Sequence, residues 1–303
     1  MKEFGFNHFA PFMEKAASAE PSVVAVAGAA NHAVLKTCLE GARHGLVRCL
    51  LFDEIAALRK HLESTHIPEG TFEIRDSQDP ATDAALSAGR EEADIVMKGR
   101  VSSGAFLKAL LSDDAGLTTG RRLSHLGFFD VPSFPRLLGM TDGGINVDPD
   151  FETRVEIVRN AVEASRAVLG RTPRLALVAA VEKVQSNMPV TRDWAAIAKM
   201  ADRGEFGEAF VDGPLGLDNA LDGQAAATKG ISGEVAGNAD IVVVPDIEAG
   251  NLMGKTLTYL ANAPMAGLVL GARVPVILNS RADSATARMA SLILAATIGR
   301  AGS

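Results

Sequence analysis

The chain alternates short apolar runs with longer stretches of helical rhythm, and this alternation constrains its fold more than any other feature. Apolar runs at 23–27, 47–52, 94–97, 175–179, 241–244, 267–270 and 274–278 have the length of strands buried on both faces. Between them, amphipathic periodicity predicts helices at 32–43, 54–63, 82–91, 104–111, 151–169 and 194–201, with a last helix over 284–298. Strands that alternate with helices imply a largely parallel sheet covered by helices on both faces. Weaker runs at 72–74 and 209–211 fit further strands, and 255–261 a further helical stretch.

The rhythm breaks after residue 111. Residues 113–122 are polar, and two apolar runs, 125–131 and 136–141, then follow with no room for a helix between them. The turn Pro132-Ser133-Phe134-Pro135 makes these an antiparallel pair. A chain of 303 residues has the length of two domains, and the break at 120–150 is where they divide. Ligand is then expected at the carboxyl ends of strands.

Composition narrows the function classes. The formal charge of −7 argues against nucleic acid as a partner, because neutralising phosphates requires a basic surface. The two cysteines, Cys38 and Cys49, have no C-x-x-C spacing, so a disulfide framework is not expected. The first twelve residues lack the apolar core of a signal peptide, and no apolar run approaches the ~18 residues of a membrane span. A cytoplasmic protein without membrane attachment is the expectation. The six histidines show no ligand spacing, so a zinc site is not expected either.

Three segments carry candidate chemistry. Residues 249–256, AGNLMGKT, fit a relaxed phosphate loop in which Ala249 replaces the opening glycine. Lys255 there serves a phosphate-containing ligand or is a solvated lysine in the first turn of a helix. Residues 279–284, NSRADS, follow a strand and precede a helix, where backbone amides favour an anion. Arg281 can fork onto a phosphate and Asp283 adds a carboxylate; the alternative is that Ser280 or Asp283 only caps the helix. Residues 94–103 place Lys98, Gly99 and Arg100 at a strand's carboxyl end, either for a phosphorylated substrate or as an exposed basic turn.

Taken together in one order, these segments resemble the phosphate acetyltransferase/phosphate butyryltransferase family. The resemblance runs from about Ala93 to Ala296 and is carried by DIVMKGRV (94–101), SHLGFF (124–129), DGPLGLDNA (212–220), GEVAGNADI (233–241), PDIEAGN (245–251) with Lys255, and NSRADS (279–284). It implies two α/β/α domains about a cleft, similar to the isocitrate/isopropylmalate dehydrogenases, with the C-terminal helix returning to the first domain. The division this gives is 1–130 plus 285–303 for the first domain and 131–284 for the second, with the active site in the cleft. It also implies a homodimer and the reversible reaction acyl phosphate + coenzyme A = acyl-CoA + phosphate. Coenzyme A is a substrate there, and neither a prosthetic group nor a metal is expected. Lys108, where the acetyl enzymes tend to carry arginine, and the form of 280–284 are closer to the butyryl branch.

The roles that follow are Asp283 as base for the coenzyme A thiol, Arg281 on the phosphate and Ser280 on the carbonyl oxygen. Lys98, Arg100, Asn251, Lys255 and Asn279 are expected to bind substrate. In the acetyl branch the acid proposed as base lies one helical turn further on, where this chain has Ala287 and Arg288. Two other classes fit the same pattern: a non-catalytic acyl-CoA-binding protein, and an NAD-dependent dehydrogenase on the same fold.

Overall fold

The structure is a computed structural model that describes residues 6, 8–68, 70–280 and 283–299. In chain order its elements are α1 (Ala10–Ala17), β1 (Ser22–Ala27), α2 (His32–Arg43), β2 (Val47–Asp53), α3 (Ile55–Ser64), β3 (Glu73–Asp76), α4 (Pro80–Gly89), β4 (Ile95–Lys98) and α5 (Ser103–Leu110). There follow β5 (Ser124–Phe129), β6 (Leu138–Thr141), α6 (Phe151–Leu169), β7 (Arg174–Val178), α7 (Val190–Asp202), β8 (Phe210–Leu215), α8 (Leu217–Leu221) and α9 (Gly223–Thr228). The chain ends with β9 (Ile241–Val243), α10 (Ile247–Tyr259), β10 (Met265–Leu270), β11 (Val276–Ile277) and α11 (Ala285–Gly299). Two compact units result: Met1–Arg121 with Pro264–Ser303, and Arg122–Ala263.

In the first unit the strands run in the order β3-β2-β1-β4-β11-β10. Every neighbouring pair is parallel except β10 with β11. The central β4 is buried along its whole length, whereas β3 at the edge exposes Glu73, Arg75 and Asp76. Charge on an edge strand discourages pairing with another chain. Side-chain caps start the helices that leave the sheet: Asn31 Oδ1 accepts from the amides of Ala33 and Val34, and Ser102 Oγ from that of Ala105.

α11 is apolar nearly all round and is buried from Ala287 to Thr297, as expected of a helix with no solvent face. It packs on β10, α1 and α2. The approach to α2 is close: a Cβ on Gly41 would lie 2.6 Å from the Leu292 side chain, so α2 has no room for a larger residue there.

In the second unit the order is β5-β6-β9-β7-β8, with β5 antiparallel to β6 and the other pairs parallel. The pair expected at 125–131 and 136–141 is therefore present. α6 spans the residues its periodicity predicts, opened by Asp150 capping the Thr153 amide and closed by Gly170 in the left-handed region at φ 65°. Asp240, buried at the start of β9, takes both Arg171 guanidinium nitrogens at 2.8 and 2.6 Å and the Arg174 amide at 2.9 Å. That aspartate fastens the amino ends of β7 and β9.

The packing divides the chain at other points than 130 and 284. Residues 264–284 lie in the first unit because β11 pairs with β4, and 122–130 lie in the second because β5 pairs with β6. The first assignment follows from pairing between strands some 180 residues apart, which no local pattern encodes; the second follows from the neighbouring antiparallel pair that the sequence already predicts.

Candidate active site

Strand neighbours bring two of the three basic or polar segments to one end of the first unit's sheet. β4 lies between β1 and β11, parallel to both, with Ala27 opposite Lys98 and Ile277 opposite Met97. Lys98-Gly99-Arg100 and Asn279-Ser280 therefore leave the sheet side by side at its carboxyl edge, at the ~4.8 Å spacing of paired strands.

The first of these segments is held tightly. The Gly99 amide donates to the Ala27 carbonyl at 2.8 Å and the Arg100 amide to the Gly28 carbonyl at 2.6 Å. A Cβ on Gly99 would overlap the Gly28 carbonyl oxygen, so only glycine fits where β1 and β4 end together. Lys98 is buried at 6% exposure, while Arg100 is exposed. An immobilised lysine beside a solvent-facing arginine suits a phosphorylated ligand arriving from outside.

In the second segment the described residues are tied together. Asp283 Oδ2 accepts from the Ser280 amide at 2.8 Å and from Asn279 Nδ2 at 3.1 Å, and the Asp283 amide donates to the Ser280 carbonyl at 3.2 Å. The helix cap is neither Ser280 nor Asp283 but Ser284, whose Oγ accepts from the Ala287 amide at 3.1 Å. Ser280 is exposed and Asp283 partly so, so both reach solvent. Arg281 lies outside the described residues.

α11 grips this segment from behind. Ser291 Oγ accepts from Asn279 Nδ2 at 3.3 Å and from the Gly267 amide of β10 at 3.0 Å, and donates to the Ala287 carbonyl at 3.0 Å. Arg288 Nη2 donates to the Ser280 carbonyl at 2.9 Å. The sequence signal for this support is slight: one arginine and one serine inside an otherwise apolar helix.

Asn251 and Lys255 belong to the second unit and are exposed on α10. Asp246 caps that helix at the Ala249 amide, so 249–256 is helical throughout and is not a phosphate loop. A run of hydrogen-bonded helix has no free amides to wrap a phosphate. Lys255 stands in the third turn rather than the first, with its ammonium 5.9 Å from the Tyr259 ring centroid.

Neither cysteine has the character of a nucleophile. Both are buried, and the Cys49 thiol is pushed well above its ordinary value by its hydrogen bond with Cys38 and by burial. An acyl-cysteine intermediate thus has no support here. Among the described residues, no group of three or more His, Cys, Asp or Glu side chains is placed to hold a metal ion.

Comparison with known proteins matches residues 75–296 to the family described as phosphate acetyl/butaryl transferase. The chain belongs to this family. It is 39% identical to a phosphate butyryltransferase of Clostridium acetobutylicum, over 96% of this chain and 97% of that one. It is 41% identical to a phosphate acetyltransferase of Rhizobium meliloti, over 93% of this chain and 90% of that one. Identities this close do not separate the acetyl and butyryl branches. Among solved structures, a branched-chain phosphotransacylase from Enterococcus faecalis matches with a TM-score of 0.81 at 29% identity, covering 92% of this chain and 99% of that one. A putative 4-hydroxythreonine-4-phosphate dehydrogenase from Salmonella typhimurium matches with a TM-score of 0.61 at 15% identity, covering 93% and 100%. The second likeness concerns the fold alone and bears out the dehydrogenase-like α/β architecture.

Proposed function

We propose that this chain carries out its family's reaction, reversible transfer of a short acyl group between phosphate and coenzyme A, at the carboxyl ends of β4 and β11. The observation that supports this location is the parallel pairing of those strands, which sets Lys98, Gly99 and Arg100 beside Asn279 and Ser280.

A free thiol has a pKa of roughly 8.5, so only a minority of coenzyme A is thiolate at neutral pH. Asp283 takes the thiol proton. The thiolate attacks the acyl carbonyl carbon, the C–S bond forms, and the C–O bond to phosphate breaks with its electron pair leaving on phosphate. Charge grows on the carbonyl oxygen and on the departing phosphate, so fixed donors favour the transition state over the ground state. Ser280 serves the carbonyl oxygen and Arg281 the phosphate; Lys98, Arg100 and Asn279 bind substrate beside them. Asn251 and Lys255 are kept as substrate-binding residues of the second unit on their motif alone. The transfer is direct, in a ternary complex. The protein works in the cytoplasm as a homodimer, and its 280–284 segment is closer to the butyryl branch, with the acyl chain length left to the assay.

The test is phosphate-dependent release of coenzyme A from acetyl-, propionyl- and butyryl-CoA. Turnover with a chain-length optimum supports the proposal. Binding without turnover indicates an acyl-CoA-binding protein, and NAD-dependent oxidation a dehydrogenase. Arg281→Ala is expected to lower kcat/KM by at least about tenfold, which corresponds to ~1.4 kcal/mol, and a smaller loss sinks its role. Asp283→Asn is expected to flatten the acidic limb of the pH–rate profile, and an unchanged limb moves the base elsewhere.

A further inference from the structure

Arg288 is a buried charge that the reaction as described does not use. It lies near the start of α11, is only 7% exposed, and stands in a helix that is otherwise almost wholly apolar. Its guanidinium makes one hydrogen bond to a described residue, from Nη2 to the Ser280 carbonyl at 2.9 Å. Its Nε is buried with no hydrogen-bond partner, and no described carboxylate forms an ion pair with it. Arginine does not shed its proton on burial, so the charge stays. A buried cation without a matching anion is costly to a fold and persists where something else compensates it.

A second orphan sits on the same segment. Asn279 is 5% exposed, and its Oδ1 is buried without a partner while its Nδ2 is committed to Asp283 and Ser291. The two unsatisfied groups are complementary in kind, a cationic donor on Arg288 and a neutral acceptor on Asn279. Hydrogen phosphate brings the negative charge that offsets the Arg288 cation and a P–O–H that donates to an acceptor such as Asn279 Oδ1. The amino-terminal amides of α11 add partial positive charge at the same place.

We infer that Arg288 is a positioning residue for the phosphate half of the reaction, fixing Ser280 through its carbonyl and lending the site a charge that inorganic phosphate balances. This rests on the phosphate acyltransferase reading of the site. Arg288 acts through Ser280 and is not assigned contact with the reacting atoms. Its effect is therefore on phosphate, and little of it is on the acyl thioester.

The experiment uses the full chain with Arg288→Lys, Arg288→Gln and Arg288→Met. KM for phosphate and for butyryl-CoA are measured separately, together with the rise in melting temperature that inorganic phosphate produces. Arg288→Met is expected to raise KM for phosphate by about tenfold or more and KM for butyryl-CoA by less than about threefold. Arg288→Lys, which keeps the charge, is expected to stay within about threefold of the parent in both. A parallel rise in both constants would show a merely structural role and overturn the inference, and so would Arg288→Gln behaving as the parent. If Arg288→Met does not fold, the comparison of Lys with Gln decides. If the parent protein catalyses no phosphorolysis, the acyltransferase reading fails by itself. The thermal shift then still speaks: loss of it in Arg288→Gln and retention in Arg288→Lys supports the inference, and equal shifts in both overturn it.

Discussion

Ser291→Ala isolates the support beneath Asn279. The hydroxyl is fully buried and joins three partners: the Gly267 amide, Asn279 Nδ2 and the Ala287 carbonyl. Removing it leaves the buried Gly267 amide without that acceptor, at a cost of about 1–3 kcal/mol. Asn279 loses less, because its Nδ2 keeps Asp283 at 3.1 Å. The Ala287 carbonyl remains in the helix ladder. Alanine's better helix propensity returns up to about 0.5 kcal/mol. The net expectation is a loss of about 1–2 kcal/mol, read as a lower denaturation midpoint at unchanged slope. The consequence for function is a looser Asn279 and a lower kcat/KM. A double-mutant cycle with Asn279→Ala measures the link and should give a coupling of at least about 0.5 kcal/mol. A stability change below about 0.3 kcal/mol, or strict additivity in the cycle, refutes the idea that this hydroxyl braces Asn279.

Three further outcomes test other parts of the structure. Gly99→Ala places a Cβ on the Gly28 carbonyl, so we expect about 1–3 kcal/mol of destabilisation and a larger proportional loss of phosphate affinity than of melting temperature, checked by calorimetry. An alanine variant indistinguishable from the parent would mean that the ends of β1 and β4 tolerate separation. Native protein should leave Cys38 and Cys49 unreactive toward a thiol reagent at pH 8, with both thiols appearing on unfolding. Because the hydrogen bond with Cys38 and burial raise the folded Cys49 pKa well above the ordinary thiol value of roughly 8.5, its contribution to stability is complete below that ordinary value and is lost as the pH rises toward the folded value. Urea midpoints at pH 8 and 10 read that slope, and Cys49→Ala removes it.

Much of the proposed site is legible in the sequence because its residues lie at strand ends, where a local pattern suffices. Lys98, Gly99 and Arg100 close an apolar run, and Asn279 to Ser284 open an apolar helix. The 249–256 segment misled because a glycine-lysine-threonine spacing is compatible with helix as well as loop, and Asp246, four residues before Gly250, starts the helix early. Arg288 and Ser291 carried no motif. Their roles come from what they touch at Asn279 and Ser280.

The sequence alone determined that this chain is an α/β protein with basic strand ends, since periodicity and strand-end composition are local properties. It also determined the family, because several long motifs recur in one order. Tertiary structure decided which strands are neighbours: β11 beside β4, and thus Asn279 and Ser280 beside Gly99 and Arg100, a pairing separated by some 180 residues of chain. It likewise decided that Ser284 caps α11, that Lys255 stands in mid-helix, and that Arg288 is buried without a described carboxylate. The strand pairing and the burial of Arg288 depend on contacts between segments remote in sequence, which only packing fixes; the two helix starts are set by caps three residues away, among several that the local sequence allowed.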